Sequence, residues 1–148
     1  MKTLPLGAIA TNLTPRQLFG VCLALLSDIA PKVAEKQKIK PITKAIESLE
    51  PLSLIKQYQL DRAISSIIAD LNKHVPIFSY LGYRANEKTQ LGVWIDLDEL
   101  HRAENAGQLT QVSGNNWRNI KSNYILDMSG ATVTLYRRRG KKTIWSTE

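Results

Sequence analysis

Apolar residues recur at helical spacing in three stretches of the first half of the chain. Leu18, Val21, Cys22, Leu25, Leu26 and Ile29 line one face, widened by Phe19 and Leu23, so a buried helix is predicted there. Thr14-Pro15 supplies its start, because Thr can accept a hydrogen bond from an orphan N–H and Pro at the first helical position gives up no bond. Pro31 is read as its stop. A second, shorter helix is expected to open at Pro41, with Ile42, Ala45, Ile46 and Leu49 on one face and an end before Pro51. The third is the clearest: Leu60, Ile64, Ile67, Ile68 and Leu71 share a face. Leu54, Ile55 and Tyr58 extend the same helix backward, Asp61 can cap a restart, and Val75-Pro76 closes it after Lys73 and His74.

After Pro76 the period changes. Ile77, Phe78, Tyr80, Leu81 and Tyr83 favour a strand, and Leu91, Val93, Trp94 and Ile95 a second one, with the polar stretch 85–89 as a hairpin loop. Asp96 and Glu99 have capping-box spacing ahead of a helix that turns Leu97, Leu100 and Ala103 inward and ends at Gly107. Thr132 to Tyr136 and Lys142 to Ser146 alternate as the arms of a second hairpin, with Arg139-Gly140 between them. The stretch between these features has two readings. Trp117, Ile120, Tyr124, Ile125 and Met128 fit a helix opened by Ser113, favoured over 115–123, while Tyr124, Leu126 and Met128 also alternate as a strand would. Gln108 to Val112 is open to a strand reading as well.

The pattern makes an α+β protein of 148 residues, a length typical of a single domain. It is read as an arm (1–13), a helical layer (14–74) and an α+β part (77–148) with antiparallel hairpins. Composition adds that 43% of residues are apolar, enough for a core and against a fully disordered chain. The single cysteine, Cys22, excludes an internal disulfide. No apolar run reaches membrane-spanning length, since Gly20, Ser27 and Asp28 break the longest one. The start, Met1 to Pro5, has little charge and no convincing cleavage site before Leu13, so a cytoplasmic location is expected.

Charge changes the picture more. The net +7 is concentrated in two segments: Lys32, Lys36, Lys38, Lys40 and Lys44 against the single acid Glu35, and Arg137, Arg138, Arg139, Lys141 and Lys142 against none. Together these exceed the whole excess, so the remaining chain is slightly acidic. Localised cations are the footprint of a surface that meets phosphates or another anionic partner; solvated loop charges are the plainer reading.

Catalytic chemistry finds little support. Asp96, Asp98 and Glu99 could offer oxygens to Mg²⁺, but capping explains them more simply. His74, His101 and Cys22 have no zinc or nucleophile spacing, and Gly140-Lys141-Lys142-Thr143 lacks the upstream glycine and following helix of a phosphate-binding loop. No metal and no cofactor is expected, and the chain is read as a non-enzyme. Trp94, Trp117, Trp145, Tyr80, Tyr83, Tyr124 and Tyr136 could stack on single-stranded bases, although such rings are more often core.

The order helix, strand, helix, helix, hairpin, with the basic cluster at the hairpin tip, resembles a winged helix-turn-helix DNA-binding domain over about 90 residues. The resemblance rests on element order and charge placement, and the extra hairpin at 77–95 and the long link at 108–114 depart from it. It implies a recognition helix carrying Asn115, Asn116, Arg118, Asn119, Lys121, Ser122 and Asn123, with groove contacts from Arg118, Asn119 and Lys121. It also implies a wing, Arg137, Arg138, Arg139, Lys141 and Lys142, on phosphates. Lys36, Lys38 and Lys40 would extend the footprint. The expectation is a non-catalytic protein that binds nucleic acid, with duplex DNA favoured, acting as a regulator or accessory factor of replication or mobile elements. The alternative is a small interaction module, inhibitor-like or antitoxin-like, with basic faces against an acidic protein. A ribonuclease without an evident base is a more distant third. A protein partner or homodimer could use the apolar face of 18–29, and no membrane partner is expected.

Overall fold

The computed structural model describes residues 3–37, 40–47, 51–84, 87–114 and 116–147. They form an α+β protein of five α-helices and seven strands in one antiparallel and one mixed sheet. Two compact units emerge: residues 1–4, 8–75 and 81–92 in the first, and 5–7, 76–80 and 93–148 in the second.

The first unit is built around α1 (Pro15–Ile29) and α4 (Leu54–Leu71), which pack on each other, with α2 (Pro31–Lys36) against α1 and α3 (Lys40–Glu47) against α4. Thr14 caps α1 as expected: its hydroxyl accepts from the Gln17 N–H, and the Gln17 side chain accepts from the Thr14 N–H at 2.9 Å. Phe19, Cys22 and Leu26 of α1 are buried, as are Leu60, Ile64, Ile67 and Leu71 of α4. The apolar face of 18–29 therefore belongs to the core of this unit. α2 is an addition. Pro31 ends one helix and opens the next, because a proline at the first helical position forfeits no hydrogen bond. Leu49, expected on the second helix, lies outside the described residues.

Ser53 caps α4, which runs without a restart at Asp61, so the backward extension is helical. It does not extend the core: Leu54, Ile55 and Tyr58 are 83%, 71% and 64% exposed, and the Arg62 guanidinium lies 5.9 Å from the Tyr58 ring centroid. At the other end of α4 the Asn72 side chain receives the Leu81 N–H at 2.8 Å and donates to the Leu81 carbonyl at 3.3 Å, tying the helix to β2 (Ser79–Arg84). The first sheet has the order β1 (Gly7–Thr11), β3 (Glu87–Ile95), β2, so part of the stretch read as an arm is a strand.

Burial of Cys22 pushes its thiol pKa up to about 11 from 9.0. Between those values the folded chain holds a proton that the unfolded chain has lost. Stability from this group is therefore complete below pH 9 and is lost as pH rises through about 11. We expect iodoacetamide to leave Cys22 almost unlabelled at pH 8 in native buffer and to label it fully in denaturant, read by intact mass. Rapid native labelling would contradict the burial.

The second unit carries α5 (Leu97–Asn105) and a four-stranded sheet of order β4 (Leu109–Val112), β5 (Tyr124–Asp127), β6 (Thr134–Arg137), β7 (Lys142–Ser146). Asp96 caps α5 by accepting the Glu99 N–H at 3.1 Å, and Gly107 follows its C-terminus at φ 75°, a conformation that favours glycine. β4 and β5 are parallel, with Leu109 opposite Tyr124; β5, β6 and β7 are antiparallel, with Tyr124 opposite Arg137 and Arg137 opposite Lys142. The core joins Phe78, Leu100, Ala103, Leu109, Leu126, Leu135 and Trp145, and the Trp145 Nε1 donates to the Ile77 carbonyl at 2.9 Å.

The helix expected over 115–123 is not formed: residues 116–123 are loop and turn, residue 115 lies outside the described residues, and 124–127 is a strand. Two causes oppose the helix. Locally, the Asn116 side chain accepts the Arg118 N–H, and the Ser122 hydroxyl bonds Thr110 Oγ1 at 2.8 Å and the Tyr124 carbonyl at 2.9 Å, both alternatives to helical pairing. At longer range, β5 is paired on both sides, and its consecutive residues Ile125 and Leu126, on opposite faces of the sheet, are both buried. The element order behind the helix-turn-helix resemblance is thus replaced here by a strand–loop–strand crossover.

Candidate nucleic-acid interface

The chain folds its largest concentration of cations onto one end of the second sheet. Because Tyr124 faces Arg137 and Arg137 faces Lys142, the loop entering β5 and the turn joining β6 to β7 meet at that end. In the loop, Trp117 to Ile120 close a turn through the Ile120 N–H and the Trp117 carbonyl, with Arg118 and Asn119 exposed at its corner and Lys121 exposed after it. In the hairpin, Arg139–Lys141 form a 3₁₀ turn in which Gly140 at φ 81° and Lys141 at φ 48° reverse the chain.

Four contacts join loop to hairpin. The Arg138 Nε donates to the Ser122 carbonyl at 2.8 Å, and the Arg138 backbone N–H donates to the Asn123 carbonyl at 3.0 Å. The Trp117 ring lies 5.1 Å from the Tyr136 ring, tilted by 56°. The Lys141 ammonium sits 5.3 Å from the centroid of the Trp117 indole, within cation–π range. Arg118, Lys121, Arg137, Arg139, Lys141 and Lys142 are all exposed around this joint. Neither 116–123 nor 137–142 contains an Asp or Glu. The nearest carboxylate along β5, Asp127, sits at the opposite end of that strand. There the Ser129 side chain and backbone bond it and hold its pKa below the usual carboxylate value.

The structure therefore brings together Arg118, Asn119, Lys121, Arg137, Arg139, Lys141 and Lys142. Arg138 has a different part from its neighbours, since its Nε braces the loop. Lys36 ends α2 and Lys40 opens α3, both in the first unit, and Lys38 lies outside the described residues. Trp117, Ser122 and Tyr136 were not legible as joint residues, because their roles depend on the pairing of β5 with strands on both sides. The carboxylates at 96, 98 and 99 form the cap and first turn of α5.

Among the described residues, no group of three or more His, Cys, Asp or Glu side chains is placed to hold a metal ion, and no helix is long and apolar enough to cross a membrane. The chain matches no protein-family model, no curated protein and no solved structure.

Proposed function

We propose that the chain is a non-catalytic nucleic-acid-binding protein that holds duplex DNA by its phosphates, through the cationic end of the second sheet. The observation that carries this reading is the joint itself. Arg138 and the Lys141–Trp117 contact fix two separate basic segments against each other, so six exposed cations from segments that contain no acid share one end of the sheet. Fixed cations release counterions from a phosphate backbone without first having to be ordered. Two further features favour phosphate contact on a duplex over stacking on single strands. The described aromatic rings of the second unit are half-buried or buried, which leaves no open stacking platform among them. The turn at Trp117–Ile120 also presents Arg118 and Asn119 outward, where side chains can reach phosphate or a groove edge.

Fluorescence anisotropy with labelled duplex, single-stranded DNA and RNA, from low to physiological salt, tests this. The expected result is tightest binding to duplex DNA, with log K falling linearly against log salt at a slope of roughly −4 to −5, as about five neutralised phosphates require. Absence of binding at low salt would end the reading. A slope near zero would point instead to a partner recognised without its charge.

A further inference from the structure

The first sheet has two outer strands, β1 and β2, and the chain treats their edges differently. On β2 the outward N–H and carbonyl of Leu81 are both taken by the Asn72 side chain, at 2.8 and 3.3 Å, which closes that edge as a neighbouring strand would. On β1 no second strand, and no backbone group beyond the β3 ladder, meets the outer side among the described residues. An open row of N–H and carbonyl groups is a template for another strand, and proteins guard such edges with charged side chains or proline. Gly7–Thr11, with the sequence Gly-Ala-Ile-Ala-Thr, has neither. Ala8 and Thr11 are exposed, and a Cβ at Gly7 would have no neighbour within 4 Å.

One bond fixes which groups point outward. The Asn12 N–H donates to the Thr89 carbonyl of β3 at 2.8 Å, and in an antiparallel pair only alternate residues turn their N–H and C=O toward the neighbour. Ala8 and Ala10 therefore bond β3, while Gly7, Ile9 and Thr11 turn theirs outward. That row is self-complementary. Set antiparallel to a second copy about a two-fold axis at Ile9, Ile9 faces Ile9 of the copy and exchanges both N–H···O bonds with it. Gly7 and Thr11 do the same with the copy's Thr11 and Gly7, and Ala8 faces Ala10. No like charges are opposed, and the half-buried Ile9 side chain gains an apolar neighbour.

We propose that the chain self-associates through β1: the occupant of the open edge is β1 of a second copy, and the two three-stranded sheets join across a two-fold axis. A two-fold pairing uses the same patch twice. The run Ala8-Ile9-Ala10, which reads the same in both directions about its central residue, meets that condition without a foreign peptide. β1 holds no cation, so this pairing does not depend on the phosphate-binding reading.

Sedimentation equilibrium of the full chain, from micromolar to millimolar concentration, is expected to show a reversible shift from 16.6 kDa to twice that mass. The shift should be insensitive to salt, because the edge is uncharged. Amide exchange adds the residue-level readout. Protection at Ile9 and Thr11 is expected to rise with protein concentration, while Ala8 and Ala10, bonded to β3, are protected at every concentration. Ile9→Pro removes an N–H that points outward and leaves the β3 ladder whole. It is expected to weaken self-association about thirtyfold, through the two hydrogen bonds lost at the axis. Ala8→Lys, at an exposed position, guards the edge with charge and is expected to weaken it as well, which keeps the test open to failure if the proline variant does not fold. A chain that stays at 16.6 kDa throughout overturns the β1 pairing. So does a dimer whose Ile9 amide remains unprotected, or one that a folded variant forms as tightly as wild type, since another surface then joins the copies.

Discussion

Replacing Arg137, Arg139 and Lys142 together with alanine is expected to make log K for duplex DNA shallower against log salt by about 2.7, the release of three fewer counterions at roughly 0.9 each. All three side chains are exposed, so their removal leaves the core of the second unit untouched. Exposed substitutions of this kind change stability by about 0.5 kcal/mol or less, so the loss should appear in binding and not in folding. Arg138 is left in place by design. Its Nε holds the Ser122 carbonyl, and a variant lacking it would confound lost charge with a loosened loop. Arg118→Ala with Lys121→Ala, in the loop, is the companion variant, and a slope change of about 1.8 is expected from two contacts. If the hairpin variant loses slope and the loop variant does not, only the hairpin meets the ligand. If neither changes the slope, the cations at this end are solvated charge and the interface lies elsewhere. Anisotropy at four or more salt concentrations, with circular dichroism as the folding control, gives these outcomes directly.

That the cations lie on adjoining segments was legible only in part. The tip at 137–142 follows from two alternating runs around Arg139-Gly140, a short-range signal, and the structure has the hairpin with Arg137 opposite Lys142. Helices α1 and α5 were equally local. Thr14-Pro15 and Asp96 announce their own caps, and the caps form. Where the reading depended on tertiary contacts it failed. Trp117 and Ile120 satisfy a helical period yet lie in a loop, while Tyr124 to Asp127 takes the strand alternative that the alternation of Tyr124 and Leu126 left open, with a parallel neighbour in β4 and an antiparallel one in β6. Leu54, Ile55 and Tyr58, read as a backward extension of the third helix, do lie in it and show what periodicity leaves open. They keep a helical period and lie in a helix, yet remain exposed, because periodicity locates a face and does not supply something to cover it. The cations were thus readable as residue types, while the joint that gathers them, Arg138 to Ser122 and Lys141 over Trp117, arises from strand order.

The same dependence on strand order makes Trp145 the residue whose loss should matter most for stability. It is 5% exposed on β7, opposite Leu135 of β6, and belongs to the cluster with Phe78, Leu100 and Leu126. Its indole N–H donates to the Ile77 carbonyl at 2.9 Å. Trp145→Ala removes the largest side chain of that cluster and orphans the carbonyl, so a destabilisation of about 3–5 kcal/mol is expected. That is a large fraction of the roughly 5–15 kcal/mol that holds a domain folded. Trp145→Phe keeps most of the apolar area and loses the donor, and about 1–3 kcal/mol is expected from the unmet carbonyl and the smaller ring. Amide exchange at β5, β6 and β7, read residue by residue, separates this loss from changes in the first unit. Exchange in these strands should accelerate together, because β6 is hydrogen-bonded to both of the others. A Trp145→Ala chain within 1 kcal/mol of wild type would mean that the hairpin is not anchored to the core. Arg137 and Lys142, at its tip, would then be tethered charges without a fixed geometry. With an anchored hairpin, Trp145→Ala should keep the full salt slope wherever it remains folded and lose duplex affinity only as the sheet unfolds, since every cation at the sheet end is still present.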